Sequence, residues 1–132
     1  MNVWWGSNEN AEFSNLAGRR FMFNGIRYVT VEHAYQTLKS GEFDGRTYRR
    51  RWAPGTKFLG RRADRSTNIS LMEKLVRASF FQNPEALERL SATTGKITHR
   101  QDRGIWRTEF PRILEETRCG DPRDWGMTHR SN

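Results

Sequence analysis

Phe21-Met22-Phe23-Asn24-Gly25-Ile26-Arg27-Tyr28-Val29-Thr30-Val31-Glu32-His33-Ala34-Tyr35-Gln36-Thr37-Leu38-Lys39 is the stretch from which the fold can be read. Two short apolar-aromatic runs flank Asn24-Gly25, the pair that best tolerates the positive φ angles of a type I′ turn, so a β-hairpin is predicted here. Thr30 then offers a side-chain oxygen to the free N–H groups of a helix start. On a helical wheel of about 100° per residue, Val31, Ala34 and Leu38 form an apolar stripe, and Glu32, Tyr35, Gln36 and Lys39 an adjoining one. Glu32 and Lys39 are about 10 Å apart along the axis, at ~1.5 Å per residue. Side chains lean toward a helix N-terminus, so Lys39 leans back toward Glu32. A carboxylate and an amine on a face bordering the core are what acid–base or Schiff-base chemistry needs. The same spacing also suits a solvated pair with no function, and spacing alone leaves both readings open.

Working outward, Val3 to Trp5 is a short apolar start, and Phe13-Ser14-Asn15-Leu16 a small anchored stretch. Beyond the hairpin and helix, Gly41 to Gly45 breaks the pattern, Arg46 to Trp52 is a basic segment and Ala53-Pro54-Gly55 a turn. Ser70-Leu71-Met72-Glu73 has the form of a capping box, and Leu71, Met72, Leu75, Val76, Ser79 and Phe80 follow at helical spacing as a core stripe. Asn83-Pro84 starts another helix through Leu87 and Leu90, ended by Thr93-Thr94-Gly95. Residues 96–107 read as a loop carrying His99, Asp102 and Trp106. Pro111 is expected to open a last helix, and 119–132 to form a polar tail. No repeat or linker divides the chain. The expectation is α+β, mainly α: a single compact domain over 1–118 with a small N-terminal β-hairpin.

The 132 residues suit one core. Charged residues make up 29%, yet 12% aromatics argue against disorder. No apolar run approaches the ~20 residues of a membrane span, no secretory leader pattern is present, and the single Cys119 allows no internal disulfide. A reducing cytoplasm is the expected setting. The net charge of +8 comes largely from arginine: Arg19, Arg20, Arg27, Arg46, Arg49, Arg50, Arg51, Arg61, Arg62 and Arg65 all lie in the first half. Such an excess draws phosphates, whether of a nucleic-acid backbone or of a small ligand, and guanidinium forks suit them. His33, His99, His129 and Cys119 lack metal-ligand spacing, so no metal site is expected. Nucleotide-binding glycine fingerprints, a Gly-x-Ser-x-Gly elbow and helix-turn-helix or zinc-finger patterns are all missing.

Several segments together resemble the NADAR family (YbiA-like proteins). The likeness runs from Phe13-Ser14-Asn15 through Tyr28 to Gln36 and Lys39, and resumes at Leu59-Gly60-Arg61 and from Met72 to Pro84. It ends with Thr94-Gly95, Thr98-His99, Asp102, Trp106 and the stretch from Ile113-Leu114 to Arg118. Glu32-His33-Ala34-Tyr35-Gln36 after an Asn-Gly hairpin is its most specific part. The resemblance implies a YbiA-like domain and an N-glycosidase that hydrolyses a ribose–nitrogen bond without a metal or other cofactor. The implied substrate is ADP-ribosylated guanine in nucleic acid or a related nucleotide. Two alternatives are a ribosylamino-pyrimidine intermediate of riboflavin synthesis and a non-catalytic module that binds ADP-ribose or nucleic acid. It implies catalytic roles for Glu32, Lys39 and Asp102, and ligand contacts for Ser14, Asn15, His33, Gly60, Arg61, His99 and Trp106. The chain departs from the family's Asp-x-x-Trp-Gly: Asp102 stands four residues before Trp106, and Arg107 replaces the glycine. Leu16-Ala17 stands where Phe-Tyr is usual, and Ser79 where a lysine is. The shortened C-terminal part is similar to phage-type members. In this scheme Lys39 attacks the anomeric carbon, Glu32 shuttles protons, Asp102 orients a hydroxyl or water, Trp106 stacks on a base or ribose, and Arg61 holds phosphates. Activation of water by Glu32 or Asp102, with no covalent step, fits equally well.

Overall fold

Thr30 caps the first long helix as its sequence predicts: its Oγ1 accepts from His33 N at 3.0 Å. In the computed structural model, which describes residues 1–40 and 67–127, that helix (α1) spans Val31–Ser40. The hairpin before it pairs β1 (Phe21–Phe23) with β2 (Ile26–Tyr28), in antiparallel register Phe21↔Tyr28, Met22↔Arg27 and Phe23↔Ile26. Asn24 and Gly25 take φ of 51° and 78°, the left-handed pair that a type I′ turn requires. The remaining helices are α2 (Ile69–Phe81), α3 (Pro84–Ser91) and α4 (Trp106–Cys119). The fold is thus α+β and mainly helical.

The central element is α2, packed against α1, α3, α4 and β1. Its Met72, Leu75, Val76 and Phe80 are buried, with Val31, Ala34 and Tyr35 of α1 and Ile113 and Leu114 of α4 in the same core. This is the stripe that the helical spacing predicts. A polar clamp on the outside ties α4 to α2. Arg112 Nη2 donates to Glu73 at 2.7 Å and to Glu109 at 3.0 Å, and Nη1 donates to Glu116 at 2.7 Å. Hydrogen bonds from Glu116 first, then Glu73, push the guanidinium's pKa up. Among the described residues, no helix is long and apolar enough to cross a membrane.

Three expectations are corrected. Ser70 is not the cap of α2. Asn68 is, through an Oδ1 that accepts from Leu71 N at 3.0 Å, and Ser70 lies in the first turn. Either residue type can supply the capping oxygen, so sequence alone does not choose between them. Pro111 does not open α4 but lies inside it, five residues after its start. A proline there forgoes a bond to the carbonyl four residues back, which belongs to the exposed Arg107. Burial of Phe110, Pro111, Ile113 and Leu114 offsets the loss. The segment after Cys119 is also more than a polar tail as far as residue 127. Asp121 caps a short turn, Pro122–Trp125, the Trp125 ring lies 6.5 Å from Phe81, and Met127 packs against the core. His129 lies outside the described residues.

Chain entry is fixed by a residue without an obvious signal. Asn2 donates to Glu9 Oε1 (2.9 Å) and Gln101 Oε1 (2.8 Å), and its Oδ1 accepts from Thr98 Oγ1 and Arg100 N (both 2.9 Å). With the backbone bond from Val3 N to Thr98 O at 2.9 Å, this stitches the start of the chain to the loop before α4. Trp4 thereby comes within 5.1 Å of His99, ring to ring.

Candidate functional site

The second stripe of α1 faces a recess of about 280 Å³. Glu32, Tyr35, Gln36 and Lys39 all line it, the set that the helical wheel groups together. Ser14, Asn15 and Leu16 approach from the turn that follows Ala11–Phe13, and Trp4, Trp5 and Gly6 from the N-terminal segment. His99 and Asp102 enter from the loop before α4, Trp106 and Phe110 from α4 itself, and Met72 from α2. Residues nearly 100 positions apart thus meet around one hollow at the lower end of ligand-pocket sizes.

Glu32 is only 3% exposed, and both its oxygens are engaged. Asn15 Nδ2 donates to Oε2 at 2.5 Å, and Gln36 Nε2 donates to Oε1 at 2.6 Å. Its backbone N–H donates to Asn15 O at 2.9 Å. Asn15 and Glu32 are therefore joined through main chain and side chain at once. A carboxylate has about four lone-pair sites. Two receive these amides, and the others remain for a ligand.

Lys39 is half-buried, with Nζ 5.2 Å from the centroid of the Tyr35 ring four residues earlier. That spacing is the neighbour relation of a helix face, and the ring face attracts the ammonium. Tyr35 is itself fixed at three points. It is buried, its hydroxyl accepts from Asn68 N at 2.9 Å, and the Trp106 ring stands perpendicular to its own at 5.6 Å and 89°. Tyr35 thus belongs both to the core and to the wall of the recess.

Asp102 reaches the recess despite the extra residue between it and Trp106. Its Oδ1 accepts from Gly104 N at 2.8 Å, a local turn that aims the second oxygen toward His99 Nε2 at 3.5 Å. His99 Nδ1 lies 2.8 Å from Val3 O. A hydrogen on Nδ1 serves that carbonyl, so a charged bond to Asp102 calls for a second hydrogen on Nε2. The Phe110 ring packs against the imidazole at 5.2 Å.

The structure thus gathers Glu32, Lys39, Asp102, Ser14, Asn15, His99 and Trp106. It does not bring in His33, which is buried away from the recess with its ring steeply inclined to that of Tyr28 at 5.1 Å and 77°. One residue along a helix is a turn of about 100°, so the neighbour of Glu32 faces the core instead. Gly60 and Arg61 lie outside the described residues. Trp4 and Trp5, which the sequence offers only as part of a short apolar start, line the recess. No local pattern marks them, because only the Asn2 stitching carries them there. Gln36 had a signal, its i+4 spacing from Glu32.

A second, more open groove shares His99 with the recess and carries Lys96, Arg100, Arg107 and Arg112 beside Glu115 and Glu116. It gives the basic character of the chain a place next to the site. No family model, curated protein or solved structure matches this chain.

Proposed function

We propose that the chain is an N-glycosidase that cleaves a ribose–nitrogen bond, with Glu32 and Lys39 as its reacting groups. The observation that carries this reading is that a buried, doubly hydrogen-bonded carboxylate and a half-buried amine line one recess of sugar-and-ring size. Trp4, Trp5, Tyr35, Trp106 and Phe110 give it aromatic surfaces on which a base or ribose can stack, and it holds Asp102 as a second carboxylate. The likeness to NADAR proteins supplies the bond class.

In this reading Lys39 Nζ attacks the anomeric carbon. The C–N bond to the base breaks and its electron pair leaves with the base nitrogen, which takes up the second proton that the lysine nitrogen sheds as its new bond forms; the first goes to Glu32 before the attack. Glu32, whose oxygens face amide donors only as acceptors, receives the proton that the amine sheds and passes it to the ring oxygen. The ring then opens to a Schiff base, and water adds to that carbon and expels the lysine amine. Asp102, held by Gly104 N, orients the water or a ribose hydroxyl. The Lys96, Arg100 and Arg107 groove suits phosphates on the same ligand. The net charge of +8 favours a polyanion, ADP-ribosylated guanine in nucleic acid or a related nucleotide, over the single phosphate of a ribosylamino-pyrimidine.

The test measures release of free ADP-ribose from ADP-ribosylated guanine DNA, beside hydrolysis of a ribosylamino-pyrimidine phosphate. Turnover of the first supports the reading, turnover of the second alone moves the substrate, and turnover of neither removes it. Borohydride added during turnover should fix the sugar to Lys39. A missing adduct, or one that persists in Lys39→Ala, replaces the covalent step by direct activation of water.

A further inference from the structure

The hydrogen bonds around Glu32 have a single sense. Leu16 N donates to Ser14 Oγ at 3.0 Å, and Ser14 Oγ lies 3.4 Å from Asn15 Oδ1. Asn15 Oδ1 has no hydrogen, so the serine hydroxyl is the donor in that contact. The carboxylate, an acceptor only, fixes the amide so that Nδ2 faces Glu32 Oε2, at 2.5 Å, and the serine hydroxyl follows. On the other side Gln36 Nε2 points at Oε1, at 2.6 Å. Every donor in the row is directed toward the carboxylate. We infer that Asn15 and Gln36 are positioning residues, which hold Glu32 as an acceptor aimed into the recess. The family resemblance implies a different role for Asn15, contact with the ligand.

The positions of these groups in the chain support the inference. Asn15 is anchored by its own carbonyl, which accepts from Glu32 N at 2.9 Å, so its Cα is held within side-chain reach of the carboxylate. Gln36 lies one turn above Glu32 on the same helix and keeps its distance by helical geometry. The carboxylate is thus gripped from a loop and from its own helix. Small displacements of a reacting group matter because a shift of about 1 Å can cost 100-fold in rate. The catalytic half of this inference rests on the glycosidase reading, and the geometric half does not.

Two measurements test it. In the free protein, the side-chain amide signals of Asn15 and Gln36 should lie downfield and exchange slowly. They should move to ordinary positions in Glu32→Ala and persist in Lys39→Ala. Freely exchanging amides in the wild type overturn the network whatever the enzyme does. In turnover, Asn15→Ala and Gln36→Met should lower kcat by about 10- to 100-fold while KM changes less than about threefold. Asn15→Asp puts two carboxyl groups in contact, which must share a proton. It should therefore regain activity over Asn15→Ala at low pH and lose it as the pH rises, a profile that a purely structural role would not produce. A raised KM with kcat unchanged makes Asn15 a ligand contact and overturns the positioning role. No turnover by the wild type on either N-glycoside overturns the catalytic half together with the glycosidase reading, while the amide signals still decide the geometry.

Discussion

Replacing Glu32 by an apolar side chain of similar size should destabilise the protein, although removing an active-site charge more often stabilises one. Glu32→Leu leaves Asn15 Nδ2 and Gln36 Nε2 facing a hydrocarbon. In the native site they donate to the two carboxylate oxygens at 2.5 and 2.6 Å. A donor left unsatisfied costs about 1–3 kcal/mol, so two cost roughly 2–6 kcal/mol, toward the lower end if water from the recess reaches one of them. At about 4 °C per kcal/mol for a chain of this size, the midpoint should fall by roughly 8 °C or more. Glu32→Gln is the control. Its amide oxygen can accept from Gln36, and its NH2 group can donate to Asn15 Oδ1 once that amide turns over, because the Ser14 hydroxyl can accept as well as donate. Only the extra strength of bonds to a charged acceptor is lost, about 1 kcal/mol. Thermal melts followed by circular dichroism, with urea titrations to convert midpoints into free energies, give the order wild type, Gln, then Leu. A Leu variant as stable as the wild type or more so would refute the claim that Glu32 is a satisfied part of the structure and would mark it as a strained group.

Arg19 poses the opposite case. It is 5% exposed, lies 4.2 Å above the Phe80 ring, and donates to Glu12 O (2.6 Å) and Ser79 Oγ (3.3 Å); burial pushes its pKa down to about 9, against the opposing pull of Glu12. Arg19→Met keeps the stacking volume and sheds the desolvation cost, so urea titration at pH 7 should find it within about 1 kcal/mol of the wild type. Because the folded value lies below that of the unfolded chain, the wild type should gain on this variant as the pH rises above 9, and a constant difference would contradict that shift. Asn68→Ala removes the cap of α2 and should cost about 1 kcal/mol in the same titration, while Ser70→Ala should cost little. Trp106→Ala should cut turnover at least tenfold and Trp106→Phe much less, since an aromatic wall is retained; equal losses would argue against stacking.

The local parts of this protein were legible in its residues because their causes are local. Asn24-Gly25 must turn, since few other pairs accept two positive φ angles, and the Thr30 oxygen must meet an early N–H of α1. The 3.6-residue period of α1 then brings Glu32, Tyr35, Gln36 and Lys39 to one face and turns His33 away. The wheel implied that last point, and the family likeness obscured it. Pro111 was misread because the rule about proline is a local preference, and burial of the residues around it is a larger, non-local term. What only the tertiary structure decided is which distant groups meet that face. Asn2 draws Trp4 beside His99 by bonds across nearly 100 residues, the turn at Gly104 aims Asp102, and Asn15 reaches Glu32 from a loop whose own sequence signals nothing more than a turn. Contacts of that kind depend on how helices pack around α2. One sequence carries no period or spacing that encodes the outcome.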